Sequence, residues 1–137
     1  MPRIRGLRVV LWPLCAMAAL ALLGTVHKPL GPTPRLVPFD PAAADYVRIL
    51  DGPPETVSMR SGYVVLQPSK TVGQHNTDSY EEAVIVLEGQ GEMRLAGGRT
   101  FQLRSHVVAY CPPRTVHDVA NTGQGPLRYV YVVAKAR

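Results

Sequence analysis

Four histidines, ten carboxylates and two cysteines are the side chains of this 137-residue chain best suited to hold a metal or attack a substrate. Among them, His75, Glu82 and His117 have the most chemistry to offer. Two imidazoles and one carboxylate, with coordination positions left open, suit iron(II), manganese, nickel or zinc. In an extended strand, His75 and Thr77 point to one face while Gln74 and Asn76 take the other. By the same alternation His117, Val119 and Asn121 share a face. A lone buried carboxylate costs several kcal/mol unless it is paired or ligated, and a divalent cation removes that cost. The competing arrangement is metal-free: Glu82 pairs with a protonated His117, and Thr77 adds a hydroxyl. Either one requires a fold that brings three separate stretches of chain together.

The other polar candidates carry less. Glu81 is the outward neighbour of Glu82 and a reserve ligand. His106 falls at a turn and His27 at the end of an apolar run. Tyr110, Tyr129 and Tyr131 read as lining or packing rather than as acids. Cys111, followed by Pro112-Pro113, reads as a small buried apolar residue. Cys15 lies within the apolar run and is out of reach of Cys111 in one folded chain.

The elements around these residues read as short strands between turn signals. Candidate strands run over Thr56–Arg60, Tyr63–Gln67, Ala83–Glu88, Glu92–Leu95, Thr100–Leu103, Val107–Cys111, Val116–Ala120 and Leu127–Ala134. Ser61-Gly62, Pro68-Ser69, Gly89-Gln90-Gly91, Gly97-Gly98, Pro112-Pro113 and Asn121-Thr122-Gly123 punctuate them. Strands and turns recurring about every 8–12 residues predict an all-β sandwich or barrel. Ala42–Leu50 fits a helical turn or a first strand equally well. Ala83, Ile85 and Leu87 are apolar opposite Glu82, Val84 and Val86, so this strand is expected to be covered on both faces, by a second sheet or by a partner chain.

Two stretches resemble the signature motifs of the cupin superfamily. The first family motif runs glycine, five residues, His-x-His, three or four residues, glutamate, six residues, glycine. Here His75-Asn76-Thr77 stands at the His-x-His position, Glu82 follows after four residues and Gly89 after six more. The second motif is matched by Pro112, His117 and Asn121 at the family spacing. Asn121-Thr122-Gly123 through Pro126-Leu127-Arg128-Tyr129 is similar to the closing hairpin of small single-domain cupins. The resemblance covers about residues 55 to 134. It implies a single jelly-roll β-barrel in which His75, Glu82 and His117 converge as metal ligands. It also implies a homodimer joined through sheet faces. This chain departs from the family where Ser69, His106 and Arg114 replace glycines, and where Thr77 replaces the second histidine.

Ahead of the barrel the chain has a different character. Arg3, Arg5 and Arg8 precede Val9–Val26, an uncharged run of 18 residues. As a helix it would reach about 27 Å, close to the thickness of a bilayer's hydrocarbon core. The leading arginines hold the N-terminus in the cytoplasm and send the rest across the membrane. Residues 1–27 are thus expected to be a membrane anchor or signal segment. Ala19-Leu20-Ala21 offers a cleavage site, although apolar residues continue past it. Trp12-Pro13-Leu14 before Cys15 lacks the small residues of a lipoprotein signal. Residues 28–54, with prolines at 29, 32, 34, 38, 41, 53 and 54, form a stiff tether and lead-in, and 55–137 form the barrel.

Charge excludes one class of partner. Three of the fifteen Lys and Arg residues precede the apolar run, leaving twelve against ten acids over the remainder. That balance, with no basic patch interleaved with aromatics, excludes nucleic acid as the expected partner. Two functions remain: a metal-dependent oxygenase, isomerase or lyase acting on a small molecule, or a non-enzymatic module binding a sugar or organic acid without metal. Membrane attachment suits both.

Overall fold

The computed structural model describes residues 31–137. The expected membrane segment, 1–27, lies outside the described residues. Nine strands follow in order: β1 (Tyr46–Asp51), β2 (Arg60–Leu66), β3 (His75–Asn76), β4 (Tyr80–Glu88), β5 (Gln90–Leu95), β6 (Thr100–Arg104), β7 (Val108–Cys111), β8 (Val116–Asn121) and β9 (Leu127–Lys135). They form a five-stranded sheet, β1-β2-β9-β4-β7, facing a four-stranded sheet, β3-β8-β5-β6. The all-β class read from the spacing of the turns, and the barrel that the resemblance implied, are the fold observed.

Alternation along β4 shows how the sequence makes this barrel. Glu82, Val84 and Val86 are buried between the sheets, while Glu81, Ala83 and Ile85 are only partly covered outside. Val84 and Val86 join Val64, Leu66, Met93, Leu103, Val119, Leu127 and Tyr129 in one continuous core. Each such side chain contributes about 1.5–3 kcal/mol when fully buried, before the entropy of ordering it is subtracted. This core runs between the sheets up to the cavity that Val64, Leu66, Val119 and Tyr129 also line.

Two local expectations are corrected and one open choice is resolved. Thr56–Arg60 is not a strand, since only Arg60 of that stretch is extended. Ser61-Gly62 is not a turn but the interior of β2, where Gly62 pairs with Tyr131 of β9. Glycine is required there for space: a Cβ on Gly62 would lie 2.7 Å from Tyr131 Cε1. The open choice over Ala42–Leu50 resolves as a strand, for Tyr46–Asp51 pairs with β2. The sheet therefore begins ahead of position 55.

The proline-rich stretch holds no helix among its described residues, and it touches the barrel instead of leaving it. Phe39 packs on Tyr63, ring centroids 5.4 Å apart. Arg35 donates to the Glu55 carboxylate at 3.2 Å and to its carbonyl at 3.0 Å.

The family glycine positions illustrate how backbone shape outlasts residue type. Ser69, His106 and Arg114 all adopt left-handed φ, at 65°, 67° and 62°. The three turns keep the geometry that glycine ordinarily supplies, with L-residues held in it by backbone bonds such as Arg114 N–H to Asp78 O at 2.9 Å.

Candidate metal centre

His75 and His117 are direct register partners, His75 on β3 and His117 on β8. Their rings lie 4.2 Å apart between centroids. Glu82 reaches them from the opposite sheet: its Oε2 is 3.7 Å from His75 Nε2 and 3.4 Å from His117 Nε2. The ligand-type atoms of all three lie within 4.8 Å of one another. Three stretches separated by up to 42 positions thus meet at one point, as the resemblance implied.

The outer ring nitrogens set the tautomers. His75 Nδ1 faces Gly73 O at 3.0 Å and His117 Nδ1 faces Thr115 O at 3.4 Å. A ring N–H donating to each carbonyl leaves both Nε2 lone pairs directed at the carboxylate. Two lone pairs and an anion face each other, so a positive charge must sit among them. His117 Nε2 is fully buried and has no hydrogen-bond partner among the described residues. This orphaned atom is what a metal ligand looks like in the absence of its ion, and the donor set fits a divalent transition metal.

A proton is the competitor. Burial disfavours a charged His117, but the adjoining Cys111 sulfur and Glu82 carboxylate outweigh it and push the imidazole up to about 10. A metal binding here must displace that proton.

The remaining motif residues have other tasks. Thr77, at the family's second-histidine position, donates to Pro112 O at 2.8 Å and accepts from Thr115 N at 2.9 Å. Its hydroxyl is committed to the turn before β8 and does not join the cluster. Asn121 donates to Leu66 O and Gly125 O and accepts from Gly123 N, fastening the last hairpin. Glu81 faces outward and accepts from Tyr110 Oη at 3.0 Å, so it is no reserve ligand. Cys111 is buried against Met93, Sγ to Sδ 3.4 Å. His106 is exposed at its turn, and Tyr129 is core.

A cavity of about 740 Å³ opens beside the cluster, lined by His75, Glu82, Val64, Val119, Tyr129 and Tyr131 among others. That is ample for a small organic molecule.

The model of the cupin domain family matches residues 62–133. The chain belongs to the cupin family. Solved structures similar to it include the cupin domain of Schizosaccharomyces pombe Cnp3, with a TM-score of 0.65 at 17% identity over 74% of this chain and 76% of that one. A cupin 2 conserved barrel domain protein from Salinispora arenicola gives 0.62 at 21% identity over 76% and 91%. A conserved protein with a double-stranded β-helix domain from Klebsiella pneumoniae gives 0.58 at 23% over 70% and 82%. No curated protein matches the chain. At these identities the likeness establishes the cupin fold. The chemistry of this cupin has to be argued from its own cavity.

Sequence reasoning did not mark the polar residues at that cavity's mouth. Arg60, Lys70 and Tyr46 line it, and none belongs to a motif. Arg60 was hidden by reading Ser61-Gly62 as a turn, which placed it on the wrong side of a break.

Proposed function

We propose that this cupin holds one divalent transition metal through His75, Glu82 and His117 and uses it on a small molecule bound in the adjoining cavity. The observation that carries the reading is His117 Nε2, fully buried, without a hydrogen bond and aimed at Glu82. Iron, manganese, nickel and zinc all suit two imidazoles and a carboxylate. When bound, such an ion supplies a Lewis acid that polarises substrate oxygen atoms, the chemistry shared by oxygenases, isomerases and lyases of this kind. The chain's own contribution is positional. Gly73 and Thr115 carbonyls orient the rings, and Glu82 faces both from the opposite sheet.

The test is elemental analysis of the full chain after chelator treatment and reloading with iron(II), manganese, nickel or zinc in turn. About one ion per chain is expected for at least one of them, falling below a tenth in Glu82→Gln and His117→Ala. Retention of none by the unaltered chain would overturn the metal reading. The second reading, a metal-free module binding a sugar or organic acid, is favoured by the upward shift of the His117 pKa beside Cys111 and Glu82, since a protonated ring would satisfy Glu82 without an ion.

The remaining expectations are proposed on sequence grounds. Arg3, Arg5 and Arg8 before the Val9–Val26 run place the barrel outside the cytoplasm, tethered or exported. An export-dependent reporter fused after Arg137 should be active, and activity of a cytoplasm-only reporter would refute this. A homodimer is proposed from the outer face of the five-stranded sheet, where Leu87, Val108 and Tyr110 are 45%, 61% and 57% exposed. The second sheet covers only the opposite face of β4, so a partner is left to cover this one. Sedimentation at micromolar concentration should give twice the chain mass.

A further inference from the structure

Pairing registers place Arg60 on the same rung as Glu82. Arg60 of β2 pairs with Val133 of β9, and Val133 pairs with Glu82 of β4. At about 4.8 Å per strand the two Cα atoms stand roughly 10 Å apart across one wall of the cavity. Like Glu82, Arg60 lines that cavity.

Its charge is unmatched among the described residues. The carboxylate opposite it in the β1–β2 register is Asp51, but Arg48 takes Asp51 at 2.9 Å. Glu82 is turned to the two histidines. Asp45, at the far end of the cavity, accepts from Gln67. Asp78 also lines the mouth, with no ion pair to Arg60. What does touch Arg60 is an aromatic face: its guanidinium carbon sits 5.6 Å from the Tyr80 ring centroid. Beside it, Tyr131 is held by a 2.7 Å hydroxyl contact with Tyr46. On that rung only Val133 stands between Arg60 and Glu82, and the wall beside it carries Tyr131, Tyr129, Val64 and Val119.

We propose that Arg60 is an anion anchor, and that the cavity takes a small carboxylate with an apolar body. The carboxylate meets the Arg60 guanidinium, the body lies on the Val133–Tyr131 wall, and the other end faces His75, Glu82 and His117. A planar guanidinium matches a carboxylate fork-to-fork. The assignment of the far end rests on the metal reading above; the assignment of the Arg60 end does not.

The test uses the full chain in neutral detergent, both metal-free and zinc-loaded, titrated calorimetrically with benzoate, benzamide and acetate. Benzoate and benzamide share a ring and differ in charge, whereas acetate has the charge without the ring. Benzoate should bind metal-free protein at least fivefold tighter than either of the others. Arg60→Gln should abolish its advantage over benzamide, and Lys70→Gln should leave that advantage intact. If Arg60→Gln does not fold, Arg60→Lys, which keeps the charge and loses the fork, must weaken benzoate and leave benzamide unchanged. Equal binding of benzoate and benzamide to the unaltered chain overturns the proposal, as does a preference that survives in Arg60→Gln. A preference seen only with zinc places the carboxylate on the metal and overturns the Arg60 anchor while supporting the metal centre. A preference without any zinc uptake does the reverse.

Discussion

Glu82 and His117 belong to opposite sheets, yet the carboxylate Oε2 of one lies 3.4 Å from the imidazole Nε2 of the other. Closing the barrel is what brings them together, so the state of this pair and the stability of the fold are linked.

Metal should therefore stabilise the folded chain. A ligand that binds only the folded state adds about 2.7 kcal/mol at one hundred times its Kd. For a domain of this size that corresponds to a rise in Tm of roughly 10–20 °C, at about 4–8 °C per kcal/mol. Differential scanning calorimetry with and without the ion found by elemental analysis measures it. Glu82→Gln should remove the shift, and an equal shift in that variant would place the ion elsewhere.

Acidity acts on the same pair. Burial alone would lower the His117 pKa, but Cys111 and Glu82 push it up to about 10, against about 6.5 in an unfolded chain. The folded metal-free state thus binds the proton more tightly than the unfolded state. Its contribution to stability is fully present below about pH 6.5 and is lost as pH rises through about 10. Metal affinity should move the other way, rising with pH across that window as the competing proton is lost. Urea unfolding of the metal-free chain and chelator-competition titrations, each from pH 6 to 9, read the two trends. Metal affinity falling with pH would show that His117 is not a ligand.

Thr77 gives a prediction that the sequence alone would have put differently. From the motif, Thr77→His should rebuild a full ligand set and tighten metal binding, and Thr77→Ala should be neutral. In the structure the buried Thr77 hydroxyl bridges Pro112 O and Thr115 N in a partly buried turn. Thr77→Ala should then cost about 1 kcal/mol of stability by leaving the Thr115 N–H without its acceptor, while Pro112 O keeps the Thr115 hydroxyl at 2.7 Å, with metal content nearly unchanged. Thr77→His loses the same bridge, so any gain in affinity comes with a lower Tm of the metal-free form. Chemical denaturation together with metal analysis separates the two effects.

How much could be read in advance follows from these residues. Period-two alternation and spaced turns are local signals, so β4 to β9 were legible, whereas the grouping of His75, Glu82 and His117 came from motif spacing that resembles the cupins. Thr77 at the second-histidine position was legible as a gap, but not as a clasp, because Pro112 and Thr115 come near it only in three dimensions. Gly62 misled for a related reason. A glycine reads as a turn, whereas here it makes room for Tyr131, a residue 69 positions away. Arg60 acquires meaning only from register, since its rung-mates Val133 and Glu82 lie on other strands.

Arg114 tests the backbone at a former glycine position. It is exposed, its φ is 62°, and it makes no side-chain hydrogen bond or ion pair among the described residues. A left-handed L-residue costs about 1–2 kcal/mol, and glycine's greater unfolded freedom costs about 0.5–1 kcal/mol. Arg114→Gly should therefore stabilise the fold by roughly 0.5–1 kcal/mol in urea unfolding. A loss of stability would mean that the side chain has a contact of its own.

Gly62 and Tyr131 should behave as one unit. A methyl at position 62 would sit 2.7 Å from Tyr131 Cε1 and 2.9 Å from its hydroxyl oxygen. The ring has nowhere easy to go, for it stacks on Tyr46 with an interplanar angle of 10° and shares a 2.7 Å hydroxyl contact with it. Gly62→Ala must therefore push Tyr131 off Tyr46 or distort β2, at about 1–3 kcal/mol as for other overpacked sites. Tyr131→Ala opens the space at its own cost. In that background Gly62→Ala should be nearly free, because the added methyl then meets no ring. Denaturant unfolding of the two single variants and the double variant yields the coupling directly, expected to be at least 1 kcal/mol in favour of the pair. Additive effects would mean that Gly62 is needed for its backbone conformation instead, and that Tyr131 is not seated over it.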